Sequence, residues 1–315
     1  MKAIRVEHFG GPEVMEYVDL ADPVPTDKEE LISVTSIGVN YADTHQIENS
    51  YRVPQTLPLR PGLEVVGTTS SGRRVLASVS GGYAQKVAAD PDYCVEIPDG
   101  VSDEQALAML VQGTTAWHIL KTVGHIKPGE SVVIHAAAGG VGTVSIQLAK
   151  MWGGKVIAVT SAGVKADLAR TLGAEKWVDA NSPDLAAAIL AANDGKRVDI
   201  VLEMVGGKTF DASLAVLAPF GRLVTFGSAS RVPATPIAPT ALLAGTKTVA
   251  GFWLGNCFGD KALVNEVIVE LFALIQAGKL HPVIGPIFPL SQAAEALREV
   301  LARKTTGKVT LNPAL

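Results

Sequence analysis

The apolar residues of segment 131–150 change their period halfway along. Residues 131–135 form a short run of β-branched side chains, which is typical of a buried parallel strand. The apolar residues that follow recur at helical spacing, at Val141, Val144 and Leu148. This pattern predicts a strand, a turn and a helix, and the apolar run 155–160 completes a βαβ unit.

Similar runs recur at βα spacing through the second half of the chain. Six strand candidates lie at 132–135, 156–160, 176–179, 198–205, 222–226 and 248–252. Helical spacing between them predicts helices, one opened by a Ser182 cap and one on the apolar face Phe210, Leu214 and Leu217. The pattern predicts a doubly wound parallel sheet, an α/β fold.

The first 110 residues have a different pattern. Short β-branched runs at 2–6, 14–20, 30–37, 64–69 and 74–78 are separated by Gly and Pro turns. They predict a partly antiparallel β domain. The run 307–311 at the carboxyl end predicts a strand that returns to this first domain.

Composition and charge narrow the class of protein. A length of 315 residues with 48% hydrophobic and 18% charged residues predicts a two-domain globular enzyme. A net charge of −4 gives no reason to expect nucleic acid or an anionic membrane as a partner. Two cysteines far apart indicate no disulfide framework, and the amino-terminal sequence lacks a signal-peptide core. We expect a soluble, cytoplasmic protein.

The turn between the first strand and helix of the βαβ unit has the sequence Ala137-Ala138-Gly139-Gly140-Val141-Gly142. It matches the dinucleotide fingerprint G-x-G-x-x-G with alanine in first place. Gly139 lets the backbone approach a pyrophosphate, and Gly142 lets the helix pack against the strand. The alternative is an ordinary tight turn, and the βαβ context favours the dinucleotide site.

The end of the second strand indicates which dinucleotide binds. An NAD site usually has an acid here that holds the ribose hydroxyls, but no carboxylate follows until Asp167. Ser161 and Lys165 instead suit a 2′-phosphate, so the sequence favours NADP over NAD. The alternative for Lys165 is an ordinary helix lysine in solvent.

No metal site is predicted. The six histidines and two cysteines lack H-x-x-x-H and C-x-x-C spacing. His135, just before the glycine turn, is interpreted as a hydrogen-bonding residue at a strand end and not as a catalytic base.

Several motifs in order along the chain carry a family resemblance. They are 38–43 (GVNYAD), 60–67 (RPGLEVVG), 81–84 (GGYA), 112–116 (QGTTA), 135–142 (HAAAGGVG), 172–174 (LGA) and 306–309 (TGKV). With these motifs the chain resembles the zinc-independent quinone oxidoreductases, the zeta-crystallin-like group of the medium-chain dehydrogenase/reductase superfamily.

The resemblance implies a fold and a domain organisation. A GroES-like β-rich catalytic domain, residues 1–112 and 256–315, is split around a six-stranded Rossmann NADP-binding domain, residues 113–255. Leu63 stands where zinc-dependent relatives have a histidine, and their cysteine ligands are absent. The resemblance therefore implies an enzyme without zinc.

The resemblance also implies roles for individual residues. Asn40 and Thr115 lie near the nicotinamide, and Ala137, Gly139, Gly140, Val141 and Gly142 cradle the pyrophosphate. Thr160, Ser161 and Lys165 face the 2′-phosphate. The remaining cofactor contacts are Val205, Phe226, Gly227, Ser228, Phe252, Trp253, Leu254 and Lys308, and the catalytic or substrate-pocket residues are Asn40, Tyr41 and Tyr51. Ala180 replaces a tyrosine that often touches the 2′-phosphate in relatives, which weakens the NADP preference.

These features predict transfer of a hydride from NADPH to a quinone or another activated α,β-unsaturated carbonyl. Tyr51 is the candidate proton donor; the alternative is that Tyr51 only packs. Two other functions stay open: an enoyl-thioester or alkenal reductase of the same superfamily, and an NADPH-binding structural or regulatory protein with little turnover. The apolar segment 246–254 and the superfamily resemblance predict a homodimer.

Overall fold

The computed structural model describes residues 1–50 and 52–315. These residues form two compact units. One consists of Met1–Thr114 with Cys257–Leu315, and the other of Thr115–Asn256. The sequence places the corresponding boundaries at 112/113 and 255/256.

The described residues form fifteen strands: β1 (Lys2–Val6), β2 (Met15–Asp19), β3 (Glu30–Val39), β4 (Glu64–Thr69), β5 (Arg74–Ser78), β6 (Lys86–Ala89), β7 (Cys94–Glu96), β8 (Ser131–His135), β9 (Lys155–Thr160), β10 (Lys176–Asp179), β11 (Val198–Glu203), β12 (Leu217–Thr225), β13 (Thr248–Gly251), β14 (Ile284–Pro289) and β15 (Lys308–Asn312). The same residues form nine α-helices: α1 (Tyr41–Ile47), α2 (Asp103–Ala108), α3 (Thr114–Leu120), α4 (Gly140–Met151), α5 (Val164–Leu172), α6 (Leu185–Ala192), α7 (Gly207–Ala215), α8 (Val267–Gln276) and α9 (Ala293–Leu301). No helix in this part of the chain is both long and apolar enough to cross a membrane.

The unit Thr115–Asn256 contains a six-stranded sheet in the order β10-β9-β8-β11-β12-β13, with every neighbouring pair parallel. β8 is buried at every position, as expected of a central strand covered on both faces. The predicted doubly wound sheet is confirmed. The chain moves outward from β8 to β10, then returns to the other side of β8 at β11. This reversal leaves a crevice at the carboxyl ends of β8 and β11.

Two local predictions in this unit are wrong. α6 is capped by Asp184, whose carboxylate accepts a hydrogen bond from the Ala187 N–H at 2.9 Å, and not by Ser182. Leu217 belongs to β12, because α7 ends at Ala215. Leu217 is fully buried in the strand, and a buried apolar residue fits a helical or an extended period equally well over so short a stretch.

The unit with both chain ends contains a seven-stranded sheet in the order β14-β15-β3-β4-β5-β7, with β6 also paired to β3. Its pairs are antiparallel except β14 with β15. β1 and β2 form a separate hairpin. The core of the unit includes Ile4, Ile37 and Leu297, which are completely buried. A β-rich unit was predicted here, and the α/β fold class is confirmed.

The carboxyl-terminal strand returns to the first sheet as predicted. β15 runs antiparallel to β3, with Val309 opposite Val39 and Leu311 opposite Ile37. This register places Lys308 beside the end of β3, where α1 begins.

Candidate active site

Most of the predicted dinucleotide-binding residues lie at one edge of the parallel sheet. The strands run in the same direction, so the segments that follow them emerge at the same edge. These residues are Ala137, Gly139, Gly140, Val141 and Gly142 after β8, Thr160 and Ser161 at the end of β9, Val205 after β11, Phe226, Gly227 and Ser228 after β12, and Phe252, Trp253 and Leu254 after β13.

The glycine turn after β8 fits the phosphates of a dinucleotide. A Cβ added at Gly142 would lie 2.5 Å from the Ala136 carbonyl oxygen, so only glycine allows α4 to start this close to the strand. A Cβ at Gly139 would meet the same oxygen at 3.2 Å. No side chain caps the first turn of α4, which leaves its N–H groups for an anion.

Glu203, at the end of β11, is a buried acid next to the predicted contact Val205 that the sequence patterns do not single out. Its side chain is completely buried, and its Oε1 accepts hydrogen bonds from the N–H groups of Val205 at 2.7 Å and Gly206 at 2.8 Å. Burial raises the pKa of this carboxyl. Glu203 therefore holds the loop beside the crevice. A single acid in an otherwise apolar run, VDIVLEMVGG, is the sequence signal that could have identified it.

The loops after β11 and β12 are joined by backbone hydrogen bonds. The Phe226 N–H donates to the Glu203 carbonyl at 3.0 Å, and the Ala229 N–H donates to the Met204 carbonyl at 2.8 Å. A Cβ at Gly227 would lie 3.1 Å from the Met204 Cβ. The predicted contacts Val205 and Gly227 thus belong to two loops that support each other.

His135 is a structural residue at the end of β8, in agreement with its interpretation from the sequence. Its Nε2 lies 2.8 Å from Ser213 Oγ, which donates to the Thr209 carbonyl. Since the Ser213 proton is used in that bond, Nε2 of His135 carries the proton and donates to Ser213. Burial lowers the pKa of His135 to about 4, so the ring is neutral at physiological pH.

The end of β9 is held by Trp177 of β10 and by Ala180, which directly follows β10. The Thr160 carbonyl accepts hydrogen bonds from Trp177 Nε1 at 3.1 Å and from the Ala180 N–H at 3.0 Å. Ser161 and Lys165 follow, and both are partly exposed. Their contact with a 2′-phosphate stays a prediction.

Thr115 does not follow a strand of the parallel sheet; it is the second residue of α3. The imidazole of His118, one turn further along α3, stacks on Phe252 with ring centroids 5.4 Å apart. This stacking places the first turn of α3 beside the end of β13. Thr115 is itself buried.

A network of buried polar groups surrounds Asn40 in the β-rich unit. The Lys308 ammonium group forms an ion pair with Glu64, and both side chains are completely buried. Asn40 links the two, since its Nδ2 donates to Glu64 Oε1 at 2.8 Å and its Oδ1 accepts from Lys308 Nζ at 3.1 Å. The Val111 N–H donates to the second carboxylate oxygen of Glu64 at 3.0 Å. The amide of Asn40 is thereby fixed in orientation.

All three protons of Lys308 point to protein acceptors. Its Nζ lies 3.4 Å from the Val39 carbonyl, in addition to its bonds to Glu64 and Asn40. An ammonium group has three donors. A contact between Lys308 and a cofactor stays a prediction, and such a contact would have to replace one of these three partners.

Asp43 continues the network into α1. Its Oδ2 accepts hydrogen bonds from the Asn40 N–H and from the Tyr83 hydroxyl, both at 2.8 Å, while its buried Oδ1 has no partner among the described residues. Desolvation raises the pKa of Asp43 to about 7, and burial also raises the pKa of Tyr83. Asp43 is thus a buried acid that titrates near neutrality.

The two tyrosines predicted for the substrate pocket differ in what the structure describes. Tyr41 is the first residue of α1, is partly buried, and meets the His45 ring edge-on at 5.8 Å. Tyr51, the candidate proton donor, lies outside the described residues. The catalytic roles of Asn40, Tyr41 and Tyr51 stay predictions.

Residues 1–50 and 52–315 contain no group of three or more His, Cys, Asp or Glu side chains able to hold a metal ion. The buried acids near Asn40 have other partners, since Glu64 is bound by Lys308 and Asp43 by Tyr83.

Comparisons with known proteins agree with this geometry. The sequence profile of the zinc-binding dehydrogenase family matches residues 140–273. The quinone oxidoreductase of Pseudomonas aeruginosa is 34% identical over 99% of both chains.

Solved structures of other proteins are similar to this protein over 99% of its chain. A mycobacterial protein in complex with NADPH is 35% identical, with a TM-score of 0.93 over 99% of this chain and 100% of its own. The quinone oxidoreductase of Thermus thermophilus, also solved in complex with NADPH, is 38% identical, with a TM-score of 0.88 over the same shares. The chain therefore belongs to the quinone oxidoreductase family of the medium-chain dehydrogenase/reductase superfamily.

Proposed function

We propose that this protein is an NADPH-dependent, zinc-independent oxidoreductase that reduces a quinone or another activated α,β-unsaturated carbonyl. The observation that carries the proposal is the glycine turn at the β8–β11 switch point, in a chain that is similar over its whole length to proteins solved with NADPH.

The residues that would hold NADPH are those at the carboxyl edge of the sheet. The first turn of α4, from Gly140 to Gly142, offers backbone N–H groups to the pyrophosphate. Ser161 and Lys165 would bind the 2′-phosphate, and Glu203 would keep the β11 loop in place. When bound, NADPH supplies the hydride from its nicotinamide ring.

The β-rich unit would position the acceptor. Asn40 is held rigidly by Glu64 and Lys308, which suits a residue that orients a carbonyl group or the nicotinamide. The hydroxyl groups of Tyr41 and Tyr51 are proposed either to donate a proton to the acceptor or to donate a hydrogen bond to the developing oxyanion. Quinones and enones suit such a site because they are already activated for hydride addition.

The zinc-independence of the proposal rests on the residues present. Leu63 and Asn40 have no side chain that commonly binds zinc, and the carboxylate of Glu64 is bound to Lys308. Dialysis against a chelator should leave NADPH oxidation unchanged. A loss of activity that zinc restores would contradict this part of the proposal.

We also propose a cytoplasmic homodimer joined through β13. β13 ends the sheet order and pairs only with β12 among the described strands, so one side of its backbone is available to a second copy. Sedimentation of a monomer at micromolar concentration would contradict the dimer.

The experiment that tests the proposed function follows the absorbance of the nicotinamide. Purified protein is given NADPH or NADH with 1,4-benzoquinone, and in parallel with an enone and an enoyl-thioester. We expect faster oxidation of NADPH with the quinone. Oxidation with only the enone or the thioester would move the function to alkene reduction, and tight NADPH binding without turnover would favour a binding protein.

A further inference from the structure

A polar cavity lies in the β-rich unit near the Asn40 network. Its volume is about 470 Å³, and its walls come from the end of α1, the segment 53–63 and residues 80–81. Leu63 lines the cavity and directly precedes Glu64 of the network. Gln46 also lines it and lies on α1, the helix that begins after Asn40. Two of the cavity's lining residues therefore belong to the same chain segments as Asn40 and Glu64.

Arg60 is the charged residue in this wall. No described residue accepts a hydrogen bond from its guanidinium group or forms an ion pair with it, and the other described lining residues carry no charge. Gly81 makes room for the Arg60 side chain, since a Cβ at Gly81 would lie 3.1 Å from Arg60 Nε, and its φ of +81° also favours glycine. The fold thus keeps an arginine at the cavity without a carboxylate partner.

The two acids that share a cavity wall with Arg60 have hydrogen-bond partners of their own. Arg60 also borders a smaller cavity of about 330 Å³, whose walls include Glu29 and Asp90. Glu29 accepts hydrogen bonds from the N–H and the hydroxyl of Thr26, at 3.0 and 2.8 Å. Asp90 accepts one from the Asp92 N–H at 2.9 Å. These local bonds hold both carboxylates in their own turns.

Two further groups in the wall can donate to a ligand. Gln46 uses its Oε1 to accept a hydrogen bond from the Gly62 N–H at 3.3 Å, so its NH₂ group is the part left for a ligand. The Ser80 hydroxyl has no hydrogen-bond partner among the described residues. A guanidinium group, an amide NH₂ and a hydroxyl together form the donor set of an oxyanion site.

We infer that Arg60 binds an anionic group of the hydride acceptor, so that the preferred acceptor is a quinone or enone bearing a carboxylate or another oxyanion. This inference rests on the proposed function. The guanidinium group supplies a charge-assisted, two-pronged contact, and Gln46 and Ser80 supply the neutral donors. The uncharged part of the acceptor lies toward Leu63.

The test compares 1,4-naphthoquinone with its 2-sulfonate as acceptors, in the wild type and in Arg60→Gln. We expect kcat/KM for the sulfonate to fall roughly tenfold to a hundredfold in Arg60→Gln, the range for loss of a hydrogen bond to a charged group, while kcat/KM for the neutral quinone changes less than about threefold. Each quinone is compared between the wild type and Arg60→Gln, so the difference in redox potential between the two quinones does not affect the result.

Arg52→Gln is the matched control. Arg52 is an exposed arginine that directly precedes the segment 53–63 and does not line the cavity, so its replacement should leave the ratio of the two kcat/KM values unchanged. Arg60→Lys keeps the charge but loses the planar fork, and we expect an intermediate ratio. Equal ratios in the wild type and Arg60→Gln would overturn the inference.

A binding measurement separates this inference from the proposed function. Naphthalene-2-sulfonate is titrated calorimetrically into the wild type and Arg60→Gln at low and high salt. We expect weaker binding in the variant and a salt dependence confined to the wild type. Loss of binding in Arg60→Gln without turnover of any quinone would retain the anion site and reject the proposed function. Equal affinities would reject the anion site.

Discussion

The Lys308 ammonium group and the Glu64 carboxylate form an ion pair that is completely removed from solvent. They are 244 residues apart in sequence and meet because β15, which carries Lys308, and β4, which carries Glu64, pair with opposite sides of β3. Taking both charges out of water is costly, and their attraction together with the bonds from Asn40 and Val111 offsets that cost.

We predict that Glu64→Gln destabilises the protein by about 3–5 kcal/mol, because it leaves a buried ammonium group without its counter-charge. The double variant Glu64→Gln with Lys308→Met removes both charges and keeps an acceptor for Val111, so it should be more stable than Glu64→Gln. Urea unfolding gives both values. The exposed pair Lys2–Asp19 is the control, and Asp19→Asn should cost less than about 1 kcal/mol. A double variant less stable than Glu64→Gln would contradict this account.

Glu203 allows a test of the loop beside the dinucleotide site. Glu203→Ala leaves the N–H groups of Val205 and Gly206 without their acceptor, and we expect NADPH to bind roughly tenfold more weakly. Glu203→Gln keeps an oxygen at the same place and should change the Kd only a few-fold. Quenching of protein fluorescence by NADPH measures both. If the two variants bind NADPH equally, the loop is held by other contacts.

Asp43 should make stability depend on pH in a direction unusual for an acid. Its pKa rises from 3.8 to about 7 on folding, so the folded state binds more protons between these values. The protein therefore loses stability as pH rises through this window, by up to roughly 4–5 kcal/mol at about 1.4 kcal/mol per pKa unit.

The variant Asp43→Asn isolates this effect. His135, whose pKa falls to about 4 on folding, acts in the opposite direction between pH 4 and 6.5, so the wild type shows partial cancellation. We expect the stability of the wild type relative to Asp43→Asn to decline from pH 4 to pH 7 in urea unfolding. A constant difference across this range would show that Asp43 does not titrate near neutrality.

Lys165 should determine part of the preference for NADPH. Lys165→Ala is expected to weaken NADPH binding roughly tenfold and to leave NADH binding nearly unchanged, because only the 2′-phosphate loses a charge-assisted contact. Lys155→Ala is the control, since Lys155 begins β9 at the opposite edge of the sheet. Isothermal titration with each dinucleotide gives the ratio. Equal losses for NADPH and NADH would exclude a contact between Lys165 and the 2′-phosphate.

The sequence predicts the bounds of several strands correctly. The strands 64–69, 74–78 and 176–179 have the bounds that the structure shows. Three strands are not predicted: β6 and β7, which have only four and three residues, and β14, whose pattern prolines interrupt. The spacing of Phe210, Leu214 and Leu217 predicts a helix, but so short a stretch also fits an extended strand, and Leu217 belongs to β12.

The sequence by itself determined the alternation of strands and helices, the glycine turn and the family, because these depend on neighbours within a few residues. Only the tertiary structure decided which polar groups meet. Lys308 pairs with Glu64, Glu203 holds its loop, and Arg60 stays without an acid. Each of these relations depends on which strands and turns become adjacent. A buried charge takes the partner that the fold brings within hydrogen-bond distance, and that choice is made across the sheet and not along the chain.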